Sequence, residues 1–484
     1  MSTPNQESVL EEIARREMIA RGLEPELSPQ ARAELARLGN PPADGVPDLR
    51  SLEWSSIDND ESRDLDQLEV CVDDGKGPPR VLIAIADVDI LVRQGSALDA
   101  HARTNTTSVY TPARIFPMLP EELSTDRTSL NPDTDRIALI IDMRITDDGA
   151  VTESDVYRGT VRNRAKLTYD GVAAWLDGHG PTPEPIAASK DLEAQVRLQD
   201  RIAQRLRGRR EEDGALDFDR TEVKPIVEGS RVQSLKTVES NRARDLIESF
   251  MIAANTTTAQ FLAARGVASI RRVVRSPERW DRIVALAAQY GGKLPPTPDV
   301  RALQAFLKAR RAASPDDFGD LSLSVIKLLG RGEYVAEQAG GPQTQHFALA
   351  ASNYTHSTAP NRRFPDLITQ RLIKATLQRA PSPYPLAELT ALAEHCTRQE
   401  DAANKVERQV RKAAAALYLS DQIGERFDAV VTGASPKGTW VRLTKPPVEG
   451  RLERGFQGLD VGDRVRVQLL STDAEKGFID FGRV

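Results

Sequence analysis

The sequence predicts an α+β chain of several domains, and three observations carry that prediction: a strand-rich first third, helices through the middle, and short alternating strands at the end. At 484 residues the chain is long for one core, and domains of roughly 150 residues would make about three of them. A large central domain with smaller attachments is the expectation.

Residues 6–38 read as two short helices. The second is well signalled: Ser28 is its N-cap, Pro29 takes the first helical position, Leu35 and Leu38 share one side, and Gly39 follows the end. The Pro/Gly-rich stretch 39–48 reads as a linker, so residues 1–48 form a small helical module, helix-turn-helix-like, plus its tether. From about 50 to 160 the pattern turns to strands, including RVLIAIADVDILV, whose continuous apolar run implies burial on both faces. Helices dominate from about 190, notably 240–266 and a long segment near 400–420, so residues 49–420 read as one mixed α/β domain. Residues 425–484 alternate in short strands between Gly turns, the pattern of a small closed barrel of the OB type. Trp440, Phe456 and Phe478 are there either to stack on bases or to fill the barrel.

Composition excludes some classes. With 40% hydrophobic and 28% charged residues, and no apolar run near the ~20 residues a membrane helix needs, no membrane span is expected. The N-terminus lacks a charged region followed by an apolar stretch, which places the protein in the cytoplasm. Cys71 and Cys396 are too few and too far apart for a disulfide framework and read as buried free thiols. A net charge of −6 argues against indiscriminate nucleic-acid binding but says little about one groove. Basic clusters at 201–210, 271–275 and 404–412 read first as solvated faces.

The most informative stretch is SIDNDESRDLDQ (56–67), just before the strand LEVCV. Asp58, Asp60, Glu61, Asp64 and Asp66 repel one another unless a cation or arginines neutralise them, so a divalent metal site is the natural hypothesis and a solvated acidic loop the plain one. Alternation would put Asp64 and Asp66 on one side, with Asp58 reaching in from the preceding loop. Asp58, Asp60, Ser62, Asp64, Asp66 and Glu69 also fall at the ligand positions of an EF-hand, but Arg63 stands where that loop needs glycine, and the flanks read as loop and strand.

Residues 58–66 resemble the aspartate signature of the ribonuclease II (RNB) family. TSVYTP (107–112), FPMLPEELS (116–124), SLNP (129–132), KLTYD (166–170), IESFMIAAN (247–255) and YTHSTAPNRRF (354–364) are similar to further blocks of that family, in the family's order. The resemblance covers roughly 50–420, and the final barrel resembles the RNA-binding OB domain such enzymes carry. It implies an RNB-type catalytic domain and magnesium-dependent, processive hydrolysis of single-stranded RNA from a free 3′ end to nucleoside 5′-monophosphates, by a monomer with no obligate protein partner. Hard carboxylates holding Mg²⁺ ions suit that chemistry, because the ions activate water and stabilise the leaving oxygen.

Carried over by position, the resemblance makes Asp58, Asp64, Asp66 and Gln67 the metal set. It makes Asp66, Arg362 and Glu407 the catalytic residues, with Arg362 placed over the scissile phosphate. RNA contacts fall to Tyr110, Tyr169, Glu248, Arg363 and Trp440, with Tyr110 against the terminal nucleotide and Tyr169 and Glu248 near the ribose. An ion pair with Asp366 is the structural alternative for Arg362, and a pair with Arg411 that for Glu407.

Some positions depart from the family. Gln67 replaces a fourth aspartate, with Asp60 as a candidate substitute, and Pro225 stands where a second stacking aromatic is expected. Ser357, Ala359 and Asn361 replace commoner residues, and helices occupy the place of N-terminal cold-shock barrels. The rival reading is an RNA-binding protein on the same scaffold, its metal site weakened at Gln67. A third, a DNA-binding regulator, rests only on the helix pair at 6–38.

Overall fold

A six-stranded sheet carries the central region, in the order Val151–Arg162, Asp135–Ile145, Arg80–Ala86, Gln67–Val72, Ser55–Asp58, Ala165–Thr168. All neighbours run antiparallel except the last pair, where Ser55–Asp58 and Ala165–Thr168 are parallel and Asp58 sits opposite Thr168. The computed structural model describes residues 6–39, 45–219, 222–228, 231–238, 240–338, 340–341, 345–435 and 438–484, so residues 40–44 of the expected linker lie outside the described residues.

Arg80–Ala86 is buried along almost its whole length, as its unbroken apolar run requires, although the sheet around it is antiparallel. The apolar run continues past the strand only as a 3-10 turn at Val88–Ile90. The helices Lys190–Asp213 and Arg242–Ala264 pack on the sheet and on each other. Both are capped as their sequences demand, Ser189 accepting from Leu192 N and Asn241 from Arg244 N.

The helix Leu386–Leu419, 34 residues and about 50 Å long, joins the parts of the molecule. It begins well before the 400 expected from the sequence. Its Val406, Val410, Ala413 and Ala414 form one apolar cluster with Leu10, Ile13, Ala14 and Met18 of the helix Gln6–Ala20. Further along, Ala416 and Leu419 belong to the core of the C-terminal barrel. The second short helix, Pro29–Leu35, carries the Ser28 cap as expected and packs against the helix Ala97–Asn105. Both N-terminal helices are thus built into the body, with the apolar face of the first covered.

The barrel is closed, in the order Arg426–Ser435, Gly438–Leu443, Glu449–Arg454, Phe478–Arg483, Arg464–Asp473 and back, with one parallel pair, Glu449–Arg454 with Phe478–Arg483. Phe481 fills its core; Trp440 is half-buried, and Phe456 and Phe478 are exposed, 40% and 58%. Cys71 and Cys396 are buried free thiols. Among the described residues no helix is long and apolar enough to cross a membrane.

Candidate active site

The acidic stretch lies at the edge where Ser55–Asp58 ends and Gln67–Val72 begins. Asp58 closes the first strand instead of reaching in from a loop, and Asp64 and Asp66 precede the second strand, so strand alternation does not apply to them. The flanking strands also dispose of the EF-hand alternative. The intervening turn is pinned from the SLNP block: Ser129 Oγ accepts from Leu65 N at 2.9 Å and donates to the Arg63 carbonyl at 2.9 Å, and Leu130 N donates to the Leu65 carbonyl.

Asp66 is wholly buried. Its Oδ1 accepts from Asn361 N at 3.0 Å and its Oδ2 from Arg362 Nε at 3.0 Å. Burial nevertheless pushes its carboxyl up to about 7, with Arg362 opposing and Asp64 adding to the rise. Asp64 is raised by burial too, against Arg362 and with Asp58. Asp58 Oδ1 accepts from Asn59 N at 2.7 Å and Ser62 Oγ at 3.0 Å. Burial disfavours the charge on Arg362, yet Tyr110, Asp66, Asp64 and Asp58 outweigh it and hold the guanidinium protonated. Its side chain stays 41% exposed, so one face of the fork remains open to an incoming anion.

The two adjacent arginines have different tasks. Arg363, not Arg362, makes the ion pair with Asp366, through Nε and Nη2 at 2.8 Å each. Its fork is thereby committed to the protein, which removes the basis for giving it to RNA. Asp366 also accepts from Ala359 N at 2.9 Å, and Asn255 of the central helix accepts from Ser357 N and Oγ, so the 354–364 segment is shaped by these internal anchors. Asn361 offers its N–H to Asp66 while its Oδ1 accepts from Thr128 Oγ1 at 2.6 Å.

Tyr110 lies beside Arg362, Asp64 and Asp66, 39% exposed at the mouth of the centre. Its backbone N donates to Glu407 Oε1 at 2.9 Å, while Glu407 Oε2 sits 3.8 Å from Arg411. Glu407 therefore positions Tyr110 and makes the pair foreseen as its alternative. On the other side Tyr169 begins the helix Tyr169–Leu176, with the Arg244 guanidinium 4.4 Å over its ring. Arg244 in turn donates to Asn59 Oδ1 at 2.8 Å, tying Tyr169 to the acidic turn. Glu248, one turn on from Arg244, is exposed and near Arg210. Trp440 stands apart in the barrel, its ring packed over Gly433. Asp60, the candidate substitute carboxylate, is exposed, and Gln67 is buried at the start of its strand.

Sequence reasoning missed Arg244, met Asn361 only as a departure from the family, and met Glu69 only as an EF-hand position. Glu69 is wholly buried, and neither carboxylate oxygen has a hydrogen-bond partner among the described residues. Burial, then Asp58, hold its carboxyl well above the ordinary range. Beyond its place at the last ligand position of the discarded EF-hand loop, its signal was strand parity: two residues after Gln67 in one strand, it shares that residue's face.

The donor chemistry suits a hard divalent cation, since Asp58, Asp64 and Asp66 act on one another with Arg362 as their shared cationic partner. A closed cage is not drawn: among the described residues no group of three or more His, Cys, Asp or Glu converges in metal-holding geometry.

The site is thus an acidic turn joining two inner strands of the central sheet, with Asp66 buried under Arg362, in a chain whose long helix also seats an OB-type barrel. The family comparison makes this specific: residues 46–379 match the RNB domain and residues 425–484 the RNase II-type exonuclease C-terminal S1 domain, and the chain belongs to the RNB family. The ribonuclease R of Vibrio parahaemolyticus is 29% identical over 482 residues, covering 90% of this chain and 56% of the relative. That of Escherichia coli K12 is 30% identical over 478 residues, covering 91% and 57%. The chain thus spans a little over half the length of these curated relatives. Among solved structures, Mycoplasma genitalium RNase R in complex with ribose-methylated single-stranded RNA superposes with a TM-score of 0.88 at 20% identity, over 97% of this chain and 77% of that one. Yeast Ssd1, a pseudonuclease, superposes at 0.68 and 16% identity, over 92% and 55%. At these identities the likeness is one of fold.

Proposed function

We propose that the protein is a hydrolytic exoribonuclease that shortens single-stranded RNA processively from a free 3′ end and releases nucleoside 5′-monophosphates. The observation that carries this reading is Asp66, buried yet left with a carboxyl near 7 between Asn361 and Arg362, beside Asp58 and Asp64. Magnesium is the cofactor of the proposal, with Asp58, Asp64 and Asp66 to hold it and the Gln67 side-chain carbonyl as a further donor. When bound, the ion activates water and neutralises charge on the phosphate. Arg362 turns its exposed face to the scissile phosphate, where a fixed fork stabilises charge that grows in the transition state. Tyr110, held through its backbone by Glu407, supports the terminal nucleotide, and Tyr169 under Arg244 faces the ribose. The barrel supplies backbone contacts and stacking through Trp440. The protein acts as a cytoplasmic monomer with no obligate protein partner.

RNA labelled at the 5′ end and RNA labelled at the 3′ end, each with and without magnesium, test the reading. A 5′ label retained on progressively shorter strands and a 3′ label released at once as mononucleotide, both only with magnesium, are expected. The second reading, an RNA-binding protein without cleavage, is favoured by Gln67 and by the bond that ties Asp66 to Arg362. Binding with no shortening under any divalent cation would establish it and overturn the first.

A further inference from the structure

Of the three basic clusters, two are largely neutralised within the fold. In the first, Arg205, Arg207 and Arg209 pair with Asp147, Asp217 and Asp148. In the second, Arg271 and Arg272 pair with Glu337 and Glu400, and Arg275 with Glu333. The third, on the helix Leu386–Leu419, is different. Lys405 and Arg408 are exposed, and neither has a carboxylate partner among the described residues.

These two side chains line a cavity of ≈ 360 Å³ together with Arg272, Arg331 and Arg411. The carboxylates lining it, Glu400 and Asp401, are already taken, by Arg272 Nη1 at 2.6 Å and Arg331 Nη1 at 2.6 Å. The cavity therefore keeps an excess of positive charge on a chain whose net charge is −6. Lys405, Arg408 and Arg411 follow at i, i+3 and i+6, a row rising about 9 Å along the helix instead of converging on one point. At its end Arg411 lies 3.8 Å from Glu407, whose other oxygen holds Tyr110 at the mouth of the acidic centre. The row thus leads toward that centre. The Tyr334 ring, three residues after Arg331, is buried and covered by the Arg272 guanidinium at 4.6 Å, and among the described residues no aromatic ring lines the cavity, so the cations come without a base-stacking platform there.

We infer that this cavity is a phosphate-binding track for the RNA strand on its way to the acidic centre, a site separate from the aspartates, Arg362 and the barrel. It rests on the proposed action on RNA. Phosphate is the shared chemistry of a strand and of a released mononucleotide; a row of cations without a base platform fits the strand.

The test is the double variant Lys405→Gln/Arg408→Gln, with Arg331→Gln as an independent probe of the same cavity. RNA affinity is measured from low to moderate salt on a strand of about 20 nucleotides and on a tetranucleotide, with single-turnover hydrolysis at saturating enzyme alongside. Losing two phosphate contacts should lower the slope of log K against log salt by about 1.4 and weaken the long strand roughly tenfold at low salt. The tetranucleotide affinity and the saturated rate should not move. Unchanged slope and affinity in both variants, with wild type binding and cleaving RNA normally, overturns this inference alone. Competition by adenosine 5′-monophosphate that weakens in the variants while the RNA slope stays constant overturns it in favour of a mononucleotide site. Wild type that binds no RNA overturns the inference together with the reading it rests on.

Discussion

Two clusters of aspartate and arginine lie in the same domain and are built to opposite ends. Around Arg371 the charges balance: Nε donates to Asp89, Nη1 to Asp99 and the Tyr384 hydroxyl, and Nη2 to the Val92 carbonyl, all between 2.7 and 2.8 Å. Lys374 bridges Asp87 and Asp89 at 2.8 Å, and Arg158 adds a second cation to Asp87 at 2.8 Å. Three carboxylates meet three cations. Around Arg362, by contrast, a single guanidinium serves Asp58, Asp64 and Asp66, and burial leaves the last of them near 7. Composition is shared and the stoichiometry is not. A balanced cluster holds elements together; an under-compensated one is poised to take a cation or a phosphate.

The largest expected effect comes from breaking the balanced cluster. Arg371→Met leaves Asp99 buried without its cation and Asp89 with Lys374 alone, and should cost about 3–5 kcal/mol by chemical denaturation, while the folded fraction cleaves RNA at the wild-type rate. Loss of activity out of proportion to folding would merge the two clusters into one functional unit. Asp66→Asn should do the reverse: hydrolysis falls at least ~100-fold in single turnover, RNA affinity persists, and the melting temperature does not drop. A rate within about tenfold of wild type would mean that the acidic centre is not the catalytic one.

Acid sensitivity sharpens the contrast further. Burial alone would raise the Asp89 carboxyl, but Lys374 and Arg371 prevail and hold it below its ordinary range. Its contribution is therefore present above the unfolded value, roughly 3.9, and is lost as pH falls through the lower folded value. Asp89→Asn should flatten the decline of stability below about pH 4, measured by urea unfolding; an unchanged decline would place the acid-labile charge elsewhere. Smallest is the contrast between two tyrosines, Tyr384 bonded inside the balanced cluster and Tyr169 at the open one. Tyr169→Ala should reduce the preference for RNA over strands with terminal deoxynucleotides by roughly fivefold, one hydrogen bond's worth. An unchanged ratio would make Tyr169 a packing residue.

Much of this was readable from residue order alone. The acidic stretch announced itself by charge density, the barrel by alternation and turns, and Ser28–Pro29 by capping chemistry. What stayed hidden depends on direction in space. Arg362 and Arg363 are neighbours, yet the turn at 359–364 sends one fork to Asp66 and the other to Asp366, and spacing alone favoured the wrong member for the local pair. Spacing could not show that the Glu407 carboxylate meets the Tyr110 backbone N–H, a contact that only the fold brings about. Glu69 stood out in sequence only as an EF-hand position and by parity with Gln67, neither of which foretells a buried, unpartnered carboxylate, and the cavity is lined by Arg272, Arg331 and Lys405, distant in sequence and joined only by packing.

The seat of the helix Gln6–Ala20 on the helix Leu386–Leu419 also sets a timetable for the nascent chain. Gln399 Nε2 donates to the Gly22 carbonyl across 377 positions. At roughly 5–20 residues per second, a ribosome needs about 20 to 75 s to deliver that partner after Gly22 has been made. Throughout that interval Leu10, Ile13 and Met18 lack the share of their cover that Val406, Val410, Ala413 and Ala414 supply, although Val109, Phe116 and Val232 of the same cluster are made sooner, so the long helix is the element that completes their enclosure.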